Sequence, residues 1–315
     1  MEDLKRGPVA LPSGAPAPSP ADMKAPLWRA LVELARPSHW FKNVFVLAGA
    51  FFAKDWRDPD VLLAAGAAFA AFCLAASAVY ACNDAIDAQE DRLHPRKRNR
   101  PVASGRVSPA AAFALAAALG AAALGLGMIA GPRLQVCLFA YGLVNVLYSR
   151  ILKRMVLLDV FCIATGFLLR LLAGTWGIGV EPSEWFLLCT LNLSLFLGFS
   201  KRYAERIDPM RPLEAKREVL RSYSPEFLRT LLAITLASTV ITYGLYTTSP
   251  RTALVHPHAH LIYTLPIALF GLFRYLYLVM EKGYGENTVA DVRKDIPLLL
   301  ACAAYAAVSL LLLAD

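Results

Sequence analysis

Uncharged apolar runs recur along the chain, separated by short polar and charged stretches. Two of them, Val61–Cys82 and Ser108–Pro132, are longer than the roughly 20 residues that carry a helix across a bilayer. Nine such segments are predicted, near 40–53, 61–81, 109–130, 134–149, 156–176, 184–200, 228–248, 259–279 and 296–314. In the first, only Asn43–Ala53 is free of charge, which suits a continuation of a short amphipathic helix at Leu27–Ala35. Ahead of it, Pro8, Pro12, Pro16, Pro18, Pro20 and Pro26 punctuate the first 26 residues, a composition expected of a disordered tail. That tail has no continuous apolar stretch of the kind a secretory signal carries. The pattern predicts an all-α integral membrane protein of about nine transmembrane helices, with residues 27–315 as a single transmembrane domain.

Composition agrees. The 315 residues are 57% hydrophobic and 18% charged, against roughly 45–50% and about 25% for soluble domains, and the mean hydropathy is +0.48. A soluble enzyme, a secreted disulfide scaffold and a disordered protein are excluded. The net charge of +8 lies in loops rather than on one soluble face. Lipid headgroups, membrane orientation and phosphorylated substrates explain it better than nucleic acid. With the N-terminus placed in the cytoplasm, the loops on that side hold 20 Lys and Arg, and the opposite side holds four, Lys54, Arg57, Arg133 and Arg251. The positive-inside rule therefore predicts a cytoplasmic N-terminus and, with nine spans, a C-terminus outside. Five of the cysteines lie within apolar segments, Cys82 ends one, and no C-x-x-C pair occurs, so they read as small buried hydrophobes.

The candidate chemistry starts where the second apolar run ends, at Asn83-Asp84-Ala85-Ile86-Asp87-Ala88-Gln89-Glu90-Asp91-Arg92. No Pro or Gly interrupts it, so the helix is expected to continue. Asn83, Asp87 and Asp91 then share one face, with Asp84 at its edge. Carboxylates on one stripe repel and need a cation. Mg²⁺ takes oxygen ligands, using one or two carboxylates together with substrate phosphate oxygens. The alternative is a solvated acidic turn paired with neighbouring Arg and Lys. The membrane boundary favours the metal–diphosphate reading, because charge is costly there. The basic run His94-Pro95-Arg96-Lys97-Arg98-Asn99-Arg100-Pro101 follows directly and supplies cations for the remaining phosphate charge.

These residues, with Val102-Ala103-Ser104-Gly105 closing the run, resemble the first signature of the UbiA superfamily of intramembrane prenyltransferases. Within it they are most similar to the polyprenyl-phosphate (decaprenyl-phosphate) phosphoribosyltransferase branch. The likeness extends through Arg36-Pro37-Ser38-His39-Trp40-Phe41-Lys42-Asn43 and Tyr148-Ser149 to Lys153. It continues in Leu158-Asp159-Val160, Gly166-Phe167 to Gly174, Gly198-Phe199-Ser200-Lys201-Arg202-Tyr203-Ala204-Glu205 and Arg274-Tyr275-Leu276-Tyr277. It implies a bundle around a cytoplasm-facing cavity in the inner membrane, and transfer of 5-phosphoribose from phosphoribosyl pyrophosphate to a polyprenyl phosphate, a cell-wall precursor step that releases pyrophosphate. Mg²⁺, replaceable by Mn²⁺, would be held by Asp84, Asp87 and Asp91 with Asn83 in support. Lys42, Asn43, Arg92, Lys97, Arg98, Arg100, Tyr148, Lys153, Arg170, Lys201 and Arg202 would contact the substrates, with Asp159 a second-site ligand or orienting group. The implied partners are these two substrates and membrane lipid, and a homo-oligomer is compatible with the pattern. Superfamily members with a prenyl diphosphate donor usually carry a second acidic motif, D-x-x-x-D. Here that loop reads Lys201-Arg202-Tyr203-Ala204-Glu205-Arg206-Ile207-Asp208, which suits a metal-free monophosphate instead.

The alternatives are an aromatic prenyltransferase of the same fold and, less favoured, a transporter or a non-catalytic lipid-binding protein. Asp159 and Arg170 stand three turns apart, roughly 16 Å along a helix, too far for a direct pair. Arg170 and Arg274 sit in or beside apolar runs, where an ionisable group either serves function or anchors helices. His256, His258 and His260 carry no metal expectation, and Tyr243, Tyr246, Tyr263, Tyr275 and Tyr277 read as interfacial anchors.

Overall fold

A computed structural model describes residues 26–51, 58–93, 97–209, 218–286 and 288–314. The expected tail lies outside them apart from Pro26, as do His94, Pro95 and Arg96. Among the described residues the fold is all helical: α1 Leu27–Ala35, α2 Val44–Phe51, α3 Pro59–Ile86, α4 Ala88–Leu93, α5 Pro109–Ala130, α6 Pro132–Arg150 and α7 Leu158–Ala173. The chain continues through α8 Glu184–Ile207, α9 Glu218–Arg221, α10 Pro225–Thr248, α11 Pro250–Val255, α12 Leu265–Glu281, α13 Thr288–Lys294 and α14 Ile296–Ala314.

Several helix starts follow one rule. Proline, whose missing N–H costs nothing in the first turn, follows a serine that caps the helix. Ser224 accepts from the Phe227 N–H (3.1 Å), Ser108 from Ala111 (3.2 Å) and Ser249 from Thr252 (3.2 Å).

Among the described residues, six helical segments are long and apolar enough to cross a membrane: Pro59–Ile86, Pro109–Ala130, Leu158–Ile178, Pro225–Thr248, Leu261–Glu281 and Ile296–Leu313. The chain is thus a multi-pass integral membrane protein, with six segments of this kind where nine are expected. The difference has a physical cause. α2 has only eight residues. α6 and α8, of 19 and 24 residues, have the length but carry charges toward their ends, Arg133 and Arg150 in α6 and Glu184, Lys201, Arg202, Glu205 and Arg206 in α8, and hold Gln135, Asn145, Asn192 and Ser200 among their apolar positions. Backbone carbonyls satisfy those groups: Gln135 donates to Leu124 (2.6 Å), Asn145 to Tyr141 (2.8 Å), Asn192 to Leu188 (2.9 Å) and Ser200 to Phe196 (2.8 Å).

Residues 27–315, expected as one domain, cluster into two compact units. Of the described residues, one comprises those up to Trp40 and those between Cys73 and Ala122, the other those between Phe41 and Phe72 and those from Ala123 on. The first has a core of small side chains, Ala30, Leu34, Ala81, Ala85, Ala88, Val102, Val107 and Ala112, joining α1 to the end of α3 and the start of α5. The core of the second runs through α7, α8, α10 and α12 and includes Val160, Phe196, Phe199, Tyr203, Tyr223 and Leu232. Two glycines permit its closest approaches. A Cβ on Gly174 would overlap the Val46 carbonyl of α2, and one on Gly198 would meet the Val160 side chain of α7.

Candidate active site

The acidic stripe of the first unit departs from the expected continuous helix. α3 ends at Ile86, Asp87 is a bend, and α4 starts at Ala88. The backbone ladder nevertheless spans the break, since Asp87 N–H donates to Asn83 and Asp91 N–H to Asp87, both at 2.9 Å. Asn83, Asp87 and Asp91 therefore keep their helical spacing.

Burial divides the carboxylates. The side chains of Asp84 and Asp91 are only 2% and 3% exposed, while Asp87 is half-buried. A buried carboxylate needs a cation beside it, and the chain supplies three. Arg36, from the left-handed residue that caps α1, donates to Asp84 Oδ1 at 2.6 Å. Arg100 Nη1 lies 3.2 Å from Asp84 Oδ1 and 2.7 Å from Asp91 Oδ2, bridging the two, and Lys97 Nζ stands 3.6 Å from Asp91 Oδ1. Arg92 turns to the Ala103 carbonyl (3.2 Å) and pins the loop that follows.

Among the described residues, Asp84 Oδ2 is buried without a hydrogen-bond partner. Among the described residues no three His, Cys, Asp or Glu side chains converge tightly enough to enclose a metal by themselves. Mg²⁺ does not require that, because substrate phosphate oxygens and water complete its shell. A buried carboxylate oxygen with open acceptor capacity, next to a second carboxylate and flanked by guanidinium groups, fits a Mg–diphosphate.

The second unit holds a separate charged network. Asp159, fully buried in the first turn of α7, accepts from Arg202 Nε at 2.6 Å and from the Tyr223 hydroxyl at 2.7 Å. Arg202 also reaches Glu205 at 2.7 Å, and the Tyr223 oxygen accepts the Leu157 N–H at 2.6 Å. Burial pushes the Tyr223 hydroxyl well above its ordinary pKa, and its bond to Asp159 pushes the same way. Deeper in this unit, buried Arg170 donates to Asn43 (2.7 Å), the Gly166 carbonyl (2.7 Å) and Tyr141 (3.1 Å), and stacks over the Tyr141 ring. Arg274 pairs with Asp295 through two contacts of 3.1 and 2.8 Å. An apolar cavity of about 390 Å³ opens between α8, α10, α12 and α14, lined by Leu193, Phe196, Val240, Leu272, Cys302 and Tyr305 among others.

The description "UbiA prenyltransferase family" matches residues 43–288, most of the chain and the whole acidic stripe. The chain belongs to the UbiA prenyltransferase family. Among UbiA relatives, the decaprenyl-phosphate phosphoribosyltransferase of Mycolicibacterium smegmatis is 36% identical over 220 residues, 69% of each chain. The same-named protein of Mycobacterium tuberculosis (strain H37Rv) is 35% identical over 220 residues, 69% of this chain and 73% of that one. A solved UbiA homolog from Archaeoglobus fulgidus, bound to GPP and Mg²⁺, has a TM-score of 0.64 at 17% identity and covers 90% of this chain and 97% of its own. That likeness establishes the UbiA fold.

Within this UbiA fold the expected site residues fall into distinct groups. Asn83, Asp84, Asp87, Asp91, Lys97 and Arg100 come together in the first unit, with Arg98 in the same turn. Asp159 and Arg202 come together in the second, where Arg202 commits two nitrogens to carboxylates. Asn43 and Arg170 are partners of each other. Lys42, Tyr148, Lys153 and Lys201 are half-buried in the second unit. Arg36, Tyr141, Glu205 and Tyr223 complete these networks without having been expected there. Arg36 and Glu205 stand inside stretches that carry the family likeness. Tyr223 and Tyr141 give no sequence signal, because only packing brings them to Asp159 and Arg170.

Proposed function

We propose that this UbiA-family protein transfers 5-phosphoribose from phosphoribosyl pyrophosphate to a polyprenyl phosphate and releases pyrophosphate. The observation that carries the reading is the buried Asp84 with its open Oδ2, set beside Asp91 and among Arg36, Lys97 and Arg100. The similarity to two decaprenyl-phosphate phosphoribosyltransferases supports the choice of donor.

Asp84 and Asp91, with Asp87 and Asn83 beside them, would hold Mg²⁺. When bound, the metal offsets charge on the diphosphate leaving group. Arg36 and Arg100 lie with their side chains 21% and 28% exposed, so each can turn a nitrogen from carboxylate to phosphate and keep the charge balance. The bond from ribose C1 to the diphosphate oxygen breaks, and the electron pair leaves with pyrophosphate. A phosphate oxygen of the polyprenyl phosphate forms the new bond to C1. That oxygen is already ionised at neutral pH, since the second pKa of a phosphate monoester is about 6, so no general base is required. The work of the protein is to orient the two substrates and stabilise charge. Lys97 and Arg98, in the same unit, are proposed contacts for the remaining phosphate charge; Lys42, Lys153 and Lys201 are proposed separately as phosphate-binding residues of the second unit.

The test is a transfer assay with purified protein and Mg²⁺. Radiolabel from phosphoribosyl pyrophosphate should appear on polyprenyl phosphate, and prenyl diphosphate should not prenylate 4-hydroxybenzoate. Prenylation of the aromatic acid with no ribosyl transfer would replace this reading with an aromatic prenyltransferase.

A further inference from the structure

α1 divides into three faces. Ala30 and Leu34 are buried in the core of the first unit. Arg29 and Glu33, one turn apart, form the polar face, where Glu33 meets Arg106 at 2.6 Å. On the third face Trp28 and Val32, one turn apart, are 61% and 50% exposed, and Leu27, at the helix start in line with Ala30 and Leu34, is 57% exposed. Three large apolar side chains on one short helix are costly to leave in water.

The depth of this helix is fixed by what it packs on. Its core partners Ala81 and Ala85 lie in the last two turns of the membrane-crossing α3, and Ala112 lies in the first turn of the membrane-crossing α5. α1 therefore sits level with the ends of two spans, where the hydrocarbon gives way to headgroups. A helix with a polar face and an apolar face lies in that plane, and tryptophan is enriched there.

We propose that the Trp28–Val32 face of α1 is a docking surface for the headgroup–acyl boundary of the bilayer, and that lipid seated on it holds Arg36 against Asp84. The connection is short. Arg36 caps α1 and bonds Asp84 at 2.6 Å, and the Ala35 carbonyl accepts from Ser77 at 2.7 Å, whose hydroxyl in turn accepts from Trp40 at 3.0 Å. A shift of α1 thus reaches the acidic stripe without passing through any other element. Arg36 is in this respect a positioning residue, and the proposal holds whichever donor the protein uses.

The full chain is reconstituted in nanodiscs of phosphatidylcholine brominated either just beneath the headgroup or at mid-chain, and the wild type is compared with Trp28→Phe. The emission removed by that substitution should be quenched at least twofold more by the shallow bromines than by the deep ones. Equal or stronger quenching by the deep bromines places the helix among the spans and overturns the proposal. No quenching at all means that water, residues 1–25 or a second copy covers the face, and also overturns it. For the link to the stripe, hydrogen exchange is followed in the double variant Trp28→Glu with Val32→Glu. Exchange over residues 34–39 should rise at least fivefold while α7 and α8 stay unchanged. Unaltered exchange there refutes the positioning role.

Discussion

Asp84→Asn separates a structural role of this carboxylate from a metal-binding one. The substitution keeps size and shape but removes the charge that faces Arg36 at 2.6 Å and Arg100 at 3.2 Å. It also places an amide N–H₂ where Oδ2 now stands buried without a partner. Hydrogen bonds to charged groups contribute about 1.5–3 kcal/mol, and both arginines keep partial access to water, so the expected loss of stability is about 1–2 kcal/mol. Against a typical stability of about 5–15 kcal/mol, more than roughly 99% of the variant stays folded. A purely structural Asp84 would therefore leave turnover nearly intact at a temperature well below the midpoint. A metal ligand behaves differently. Disturbing groups merely behind a metal ligand costs about 10–100-fold, so loss of a ligating charge should exceed a hundredfold. The assay pairs ribosyl-transfer rates across a Mg²⁺ titration with thermal midpoints of the same nanodisc samples. Near-wild-type turnover by folded Asp84→Asn, or wild-type turnover undiminished by excess chelator, refutes the metal assignment.

Three further outcomes follow from the geometry. Gly174→Ala forces a Cβ onto the Val46 carbonyl, so α2 must separate from α7; the thermal midpoint should drop, by about 1–3 kcal/mol in stability as for other overpacked sites, and an unchanged midpoint would show the approach to be looser. The hydrogen bonds from Arg274, followed by that from the Leu298 N–H, hold the Asp295 carboxyl below its usual range; its contribution to stability is therefore full above about pH 3.9, the ordinary aspartate value, and fades as pH falls through the lower folded value, so the midpoint should fall less between pH 6 and pH 3 in Asp295→Asn than in wild type. For orientation, cysteines placed at Arg98 and Arg133 should label from the cytoplasmic and the outer side respectively, and labelling of position 98 from outside intact cells would reverse the topology that the loop charges imply.

The run of apolar segments determined that this chain is an all-helical membrane protein, because backbone groups in lipid must pair internally and continuous apolar runs of about 20 residues do so as helices, not as the short alternating strands of a barrel. The acidic stripe and the basic run after it were equally legible, since their spacing is local and survives even the break at Asp87. What the carboxylates touch was not. Arg36 stands 48 residues before Asp84, and Tyr223 stands 64 residues after Asp159. No local periodicity connects such positions. The sequence showed that the stripe needs a cation; only the folded chain decided that Arg36 and Arg100 take that place and that Asp84 Oδ2 is left open. In α6 and α8, which the apolar pattern already marks, the folded chain adds which backbone carbonyls accept from the amides and the Ser200 hydroxyl. Local pattern sets which residues are helical and which carry charge, while long-range packing sets which charges meet.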